Sequence, residues 1–392
     1  MTAESFKKEL LENILPFWKK MLGDGLNFPG RIDGLGNVHP ESEKSAVMIF
    51  RMLWAFSSTA RVTGSEDALE CAHKIYRWAC DHFIDNEMGG VYWSTNADGS
   101  PLDTKKQSYA IGFAIYGLSE YYMVSEAEEA KELARSLFND LETHAWDELH
   151  GGYVEALTKD WQPLEDMRLS DKDMNTVFSM NTHLHILEPY TNLYRICPDK
   201  EIESAIGRLL SIFTDRLLDK DGKHLGLFFD ENWTRLDSII SYGHDIEASW
   251  LVDEALQVSG ISHSKAENLV KDVAEAVLPA VAEDGHLANE KDIDKEETDW
   301  TAIWWGQAEA VTGFMNMYSI SKDTRYLKAS EDAWNYIQNN ITDRQGGEWF
   351  WSVSPDGVIN TADDKAGFWK CPYHDSRMCL EMIRRVNLEL NR

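Results

Sequence analysis

Two kinds of apolar pattern alternate along the chain. In the first, apolar residues recur at three- and four-residue steps with charged residues opposite, over 6–21, 66–83, 126–141, 202–218, 264–281 and 324–337. That periodicity predicts amphipathic helices with one buried stripe. In the second, small, aromatic and apolar residues run almost all the way round, near 45–62, 107–123, 176–194, 244–258, 300–320 and 372–390. A helix apolar on most of its circumference is expected inside a core. Glycine-centred turns punctuate the alternation at Gly23-Asp24-Gly25, Gly89-Gly90, Gly151-Gly152, Asp221-Gly222, Asp284-Gly285 and Gly346-Gly347, most of them followed by a short aromatic or apolar strand. They recur about every sixty residues, which is the signature of a repeat architecture.

Six pairs of one exposed and one buried helix close naturally into a ring. The expected fold is all-α, an (α/α)6 barrel with six inner and six outer helices and short β-hairpins on the connecting loops. Residues 1–392 are expected to form a single catalytic domain, since no Pro-, Gly- or Ser-rich linker interrupts them. An open solenoid would instead call for polar capping repeats at its ends. The longest irregular stretch, Lys159 to Asp173, is expected to form a lid or rim loop.

Composition narrows the function. The formal net charge is −29, which repels nucleic-acid phosphates and anionic membranes. The 15 Trp, 14 Tyr and 15 Phe exceed what a core needs, and aromatic faces stack well on sugar rings. Cys71, Cys80, Cys197, Cys371 and Cys379 are scattered and odd in number, a pattern of reduced thiols rather than of a disulfide frame or zinc site. With no apolar leader at the N-terminus and no membrane-length apolar run, the expectation is a cytoplasmic protein.

The chemistry is concentrated in polar residues on the buried helices. Ser241-Tyr242-Gly243-His244-Asp245-Ile246-Glu247 reads as a loop ending at Gly243 and a helix beginning at Asp245. His244 then sits at a helix N-terminus, with Glu247 at i+3 to orient it. Pro372 suits a first helical turn, so His374 is expected in a comparable place on another inner helix. Arg51 lies among Val47, Met48, Ile49 and Phe50, where a guanidinium needs either an ion-pair partner or a ligand oxygen. In Met180-Asn181-Thr182-His183-Leu184-His185, Asn181 and His185 share a face with Glu188, so His185 is the site candidate and His183 the structural one. Tyr109, Phe113 and Tyr116 recur at helical spacing, and of Trp304 and Trp305 one is expected to pack and one to stack on a ligand. Two imidazoles reaching one cavity suit removal of a proton α to a carbonyl and its return on the other face. An arginine and a third histidine would stabilise the enediolate charge.

At these residues the chain resembles the N-acylglucosamine 2-epimerase superfamily, most closely its cellobiose 2-epimerase branch. The stretches that carry the resemblance are MNTHLHILE, SYGHDIEASWL, TAIWWGQAEA and GFWKCPYHDSR. Asp375 departs from the pattern, in which an amide follows that histidine. The resemblance implies an isomerase without cofactor or metal that acts at C2 of the reducing-end glucose of β-1,4 disaccharides. Cellobiose would become glucosyl-mannose and lactose epilactose. It implies His244 and His374 as acid/base pair, with His374 also assisting ring opening. Arg51 and His185 would hold O1 and O2, Glu247 would orient His244, and Tyr109, Phe113, Asn181, Glu247, Trp304, Trp305 and Trp369 would shape the substrate site. The implied partner is a small-molecule disaccharide, with no nucleic acid or membrane, the chain being a monomer or weak homodimer.

Rival readings within the same superfamily are a monosaccharide aldose–ketose isomerase and an N-acetylglucosamine 2-epimerase. A more distant one is an (α/α)6 glycoside hydrolase, which needs two opposed carboxylates ~5–9.5 Å apart. The chain has no HExxH, no phosphate loop ending in Lys-Ser/Thr and no G-x-S-x-G, so zincin, nucleotide-driven and serine-hydrolase readings lack support.

Overall fold

A computed structural model describes residues 1–23 and 27–390; Asp24 and Gly25 of the first glycine turn lie outside these. The buried pattern corresponds to α3 (Ala46–Thr63), α5 (Ser108–Ser125), α7 (Met180–Ile196), α9 (Tyr242–Ser259), α11 (Trp304–Ser321) and α13 (His374–Leu390). Each packs on the next, and α13 returns to pack on α3. That closure rules out the open solenoid. The amphipathic pattern corresponds to α1 (Ala3–Glu9) and α2 (Leu15–Leu22), then α4 (Glu66–His82), α6 (Glu128–Asp140), α8 (Lys200–Ile212), α10 (Ser264–Val277) and α12 (Thr324–Tyr336). These wrap the ring, most of them lying against two successive inner helices.

The outer layer also seals the seam between first and last repeats. Trp18 donates its indole N–H to Glu348 at 2.5 Å, and Trp349 donates to Glu9 at 2.9 Å. Both carboxylates are buried, so each needs such donors. Among the described residues no helix is long and apolar enough to cross a membrane.

The short strands do more than decorate loops. The residue before each of five inner helices pairs antiparallel with a strand of the following repeat: Ser45 with Ser94, Gln107 with Ala156, Ser179 with Phe228, Ser241 with Glu290, and Ile303 with Ser352. Local hairpins of the expected kind exist as well, as at Arg31–Ile32 with Val38–His39. The repeats are thus stitched together at the end where the inner helices begin.

A second stitch uses side chains four residues further on. His183 Nε2 accepts the Tyr153 N–H at 3.0 Å, Asp245 the Leu225 N–H at 3.0 Å, and Gln307 the Leu287 N–H at 2.7 Å. These residue types differ, but each offers an acceptor to a backbone N–H that burial would otherwise strand. His183 also donates from Nδ1 to the Ser179 carbonyl at 2.7 Å, so both its nitrogens are used within the scaffold.

Several boundaries differ from the sequence-based expectation. α9 begins at Tyr242, so Gly243 lies inside its first turn rather than in a loop. A Cβ at Gly243 would come 2.6 Å from the Trp305 ring, so the glycine makes room for that indole. α13 begins at His374, with Pro372 before the helix. Asp245 does not cap its own helix; it holds Leu225 and, at 2.7 Å, His224.

Candidate active site

The starts of the inner helices surround a cavity of about 850 Å³, within the range of small-molecule sites. Arg51, Tyr109, Asn181, His185, His244, Glu247, Trp304, Trp305, Trp369 and His374 all line it. Phe113 does not. It is fully buried one turn below Tyr109, its ring centroid 4.1 Å from the Arg51 guanidinium carbon. Sequence reading missed Trp351, whereas the rim loop expected over Lys159 to Asp173 does reach the site, with Arg168 to Asp173 and the following Met174 closing one side.

Counting six residues in from the strand before each inner helix gives Arg51, Phe113, His185, Glu247 and Glu309. Arg51, His185 and Glu247 of this ring line the bottom of the cavity, and Phe113 and Glu309 lie buried beneath it. Arg377 of α13 joins the ring by bonding Glu247 and, at 2.6 Å, Glu309. It also bonds Glu188 and the Tyr373 hydroxyl. Three buried carboxylates from three helices therefore converge on one guanidinium. Glu247, Glu309 and His374 offer ligand atoms within 4.8 Å of one another, and the Arg377 guanidinium is already the cationic partner of both carboxylates.

Arg51 behaves differently. It is buried yet meets no carboxylate within bonding range among the described residues. Its Nη2 donates to the Tyr109 hydroxyl at 2.7 Å, and its guanidinium packs against the rings of both Phe113 and Tyr373. A guanidinium held by aromatic faces keeps its N–H groups available. Buried polar atoms at the cavity that lack a protein partner include Arg51 Nε, Asn181 Oδ1, Glu247 Oε2 and Trp304 Nε1. Such groups need a ligand or water.

Each histidine has its own support. His185 Nδ1 lies 3.1 Å from Glu188. Burial works to raise the Glu188 pKa, but Arg377 and His185 hold it at about 2, so Glu188 is a carboxylate that accepts the Nδ1–H hydrogen bond and leaves Nε2 as an acceptor. Burial lowers His185 itself to about 4 despite that partner. His374 Nδ1 bonds Glu309 at 2.7 Å, with Glu247 at 3.9 Å. Burial, followed by the positive charges of Arg51 and Arg377, lowers its pKa well below the usual histidine value.

His244 Nδ1 bonds the Ser241 hydroxyl at 2.9 Å, and burial takes its pKa to about 3. Glu247 therefore does not orient His244. It turns toward Arg377 and His374, because a guanidinium reaching in from α13, beyond α11, outcompetes an imidazole one turn up its own helix. Burial and the adjacent Glu309 raise Glu247 to about 8, which keeps it protonated at neutral pH. The two imidazoles flank one indole, His244 at 4.6 Å and His374 at 5.7 Å from the Trp305 ring.

Asp375, the departure from the family pattern, is fully buried close to Glu348 and accepts the Ser376 N–H at 2.7 Å. Burial and then Glu348 raise its pKa far above the carboxylate range. That shift favours the neutral carboxylic acid, the form that matches the charge of an amide. Sequence reading missed Glu309, the partner of His374 on α11, and Arg377, whose one signal was its i, i+3 spacing from His374 on α13.

The chain and its fold are similar to those of known proteins. The family model for N-acylglucosamine 2-epimerase matches residues 28–376. Cellobiose 2-epimerase of Bacteroides fragilis is 48% identical over 97% of this chain and 98% of its own, and that of Ruminococcus albus 37% over 98% and 99%. The solved cellobiose 2-epimerase of Bacillus thermoamylovorans superposes with a TM-score of 0.94 at 39% identity, covering 98% of this chain and 99% of that one. A GH76 α-mannanase of Bacteroides thetaiotaomicron, at TM-score 0.66 and 14% identity over 100% and 98%, shares the fold alone. The chain belongs to the N-acylglucosamine 2-epimerase family, in its cellobiose 2-epimerase branch, and is an epimerase of the isomerase class built on an (α/α)6 barrel.

Proposed function

We propose that the chain interconverts the C2 epimers of the reducing-end sugar of β-1,4-linked disaccharides, cellobiose with glucosyl-mannose and lactose with epilactose. The observation that carries this reading is the pair of imidazoles flanking Trp305 above a floor holding an arginine without a carboxylate partner.

His374 assists opening of the sugar ring, which exposes the C1 aldehyde. One neutral imidazole then takes the C2 proton, and the C–H electron pair flows onto O1 to give a cis-enediolate. Arg51 donates to the oxygen where negative charge develops, an interaction strongest in the transition state. His185, with Nε2 as acceptor, holds the neighbouring hydroxyl. Rotation about C2–C3 presents the other face, and the second imidazole returns a proton to C2. For His374 that proton comes from the buried Glu247–Glu309 group behind it, where Glu247 is protonated at rest. When His244 is the first base it releases its proton to solvent at the cavity mouth, and solvent refills the carboxyl pair. In the reverse direction His244 draws its proton from that solvent while His374 passes the one it took to the pair, so each turnover is proton-neutral. Trp304, Trp305, Trp369 and Tyr109 offer ring faces to the sugars, and Asn181 a polar contact.

The whole ring acts as one catalytic domain, as a monomer or weak homodimer. Five free thiols suit a reducing cytoplasm. The experiment is to incubate the protein with cellobiose in D₂O and follow the sugars by NMR. Glucosyl-mannose with deuterium at C2 and no free glucose is expected. A fructose-ended product would favour aldose–ketose isomerisation, the activity named for a Marinomonas mediterranea relative 23% identical over 90% of each chain, D-mannose isomerase. Free glucose would point to hydrolysis.

A further inference from the structure

α7 is broken where the site needs it. His185 has φ −87° and ψ 15°, outside the helical region, and Pro189 stands four residues later in the same helix. A helical carbonyl accepts the N–H four residues on; proline has none, and its ring crowds that carbonyl. The His185 carbonyl is therefore turned out of the α7 ladder, toward α5. A Cβ built on Gly112 would lie 2.2 Å from this oxygen and 3.6 Å from Pro189 Cγ. Contacts that short do not occur, so only glycine fits at 112 while the carbonyl stays where it is.

We propose that Gly112 and Pro189 together form the positioning device for His185. Pro189 turns the His185 backbone out of line, and Gly112 receives the displaced carbonyl. The imidazole is thereby held with Nδ1 on Glu188 and its ring 5.1 Å from Tyr109 and 4.9 Å from Phe113, beside Arg51. On an unbroken helix the same residue would present its ring in a different direction. This inference rests on the role given above to His185 in holding the enediolate.

The test uses the full chain as Gly112→Ala, Pro189→Ala and the double variant, with kcat, KM, Tm and the ring ¹⁵N signals of His185 measured for each. Gly112→Ala is expected to move the imidazole by about 1 Å and lower kcat about 100-fold with little change in KM. The Nδ1 signal should lose its Glu188-bonded position. Pro189→Ala restores an N–H to the His185 carbonyl and straightens α7, so it too should lower kcat.

The double variant is the decisive one. Once α7 is straight the carbonyl withdraws, the new methyl finds space, and Tm should rise above that of Gly112→Ala while kcat stays low. Wild-type kcat and His185 signals in Gly112→Ala would overturn the proposal. So would a double variant whose Tm loss is the sum of the two single losses. If the wild-type chain failed to epimerise any disaccharide while the signals and Tm behaved as expected, the functional reading would fail and the positioning device would stand.

Discussion

The inner helices have two ends, and the chain treats them oppositely. Where they finish, connections are short. Gly64, Glu126, Gly260 and Lys322 adopt left-handed φ between 57° and 73° as C-caps, and an outer helix begins within a few residues. Where the inner helices start, the connections are long, strands join neighbouring repeats, and His244 and His374 lie on first turns. One end sets the ring; the other builds the site. The difference teaches that catalytic residues concentrate where a rigid scaffold meets the longest loops. Stability and chemistry should therefore separate by end in mutational tests.

The largest effect should come from the site end. His244→Ala and His374→Ala should each reduce epimerisation about 100- to 10,000-fold, the usual contribution of a general acid or base, with circular dichroism and Tm close to wild type. Wild-type turnover in either would remove that residue from the pair.

The pH profile sharpens the same point. The bases must be neutral, and burial lowers their pKa values, so activity should persist below pH 6.5 before failing in acid. Glu247 must be protonated, so activity should fall as pH rises through about 8. Glu247→Gln should remove the alkaline limb, and an unchanged limb would assign it to another group.

His183 sits on α7 with His185 but serves the scaffold. His183→Ala would strand the Tyr153 N–H and should cost about 1–3 kcal/mol while kcat changes only a few-fold. A folded variant without activity would reverse the assignment of the two histidines. At the far end, Gly64→Ala places a side chain at φ 73° and should cost about 1 kcal/mol, with kcat unaltered. Denaturation and steady-state rates distinguish these two cases.

The ring was legible in the sequence because its helices differ in kind, and periodicity records which face each one buries. Arg51, His185, His244 and His374 stood out as polar groups on apolar helices, and the structure brings all four to the cavity. The identity of Glu247's partner was not legible. Spacing along α9 suggested His244, whereas Arg377 arrives from a helix 130 residues away. Phe113 and Tyr109 share a helical stripe, and spacing alone could not say that one turn of depth separates cavity wall from floor. The rim loop ending at Asp173 was legible from its very lack of periodicity, but which of its residues, Arg168 to Met174, reach the cavity was not. The break in α7 had a visible cause in Pro189, but its meaning depends on Gly112 across the helix interface.

The central claim is that His244 and His374 serve opposite faces of one carbon. The most direct measurement is C2 exchange by the two single Ala variants in D₂O, each given cellobiose and glucosyl-mannose separately. Each variant should fail to interconvert the sugars yet place deuterium at C2 of one epimer, and the two variants should choose different epimers. Exchange into the same epimer by both variants, or full interconversion by either, would contradict the two-face account.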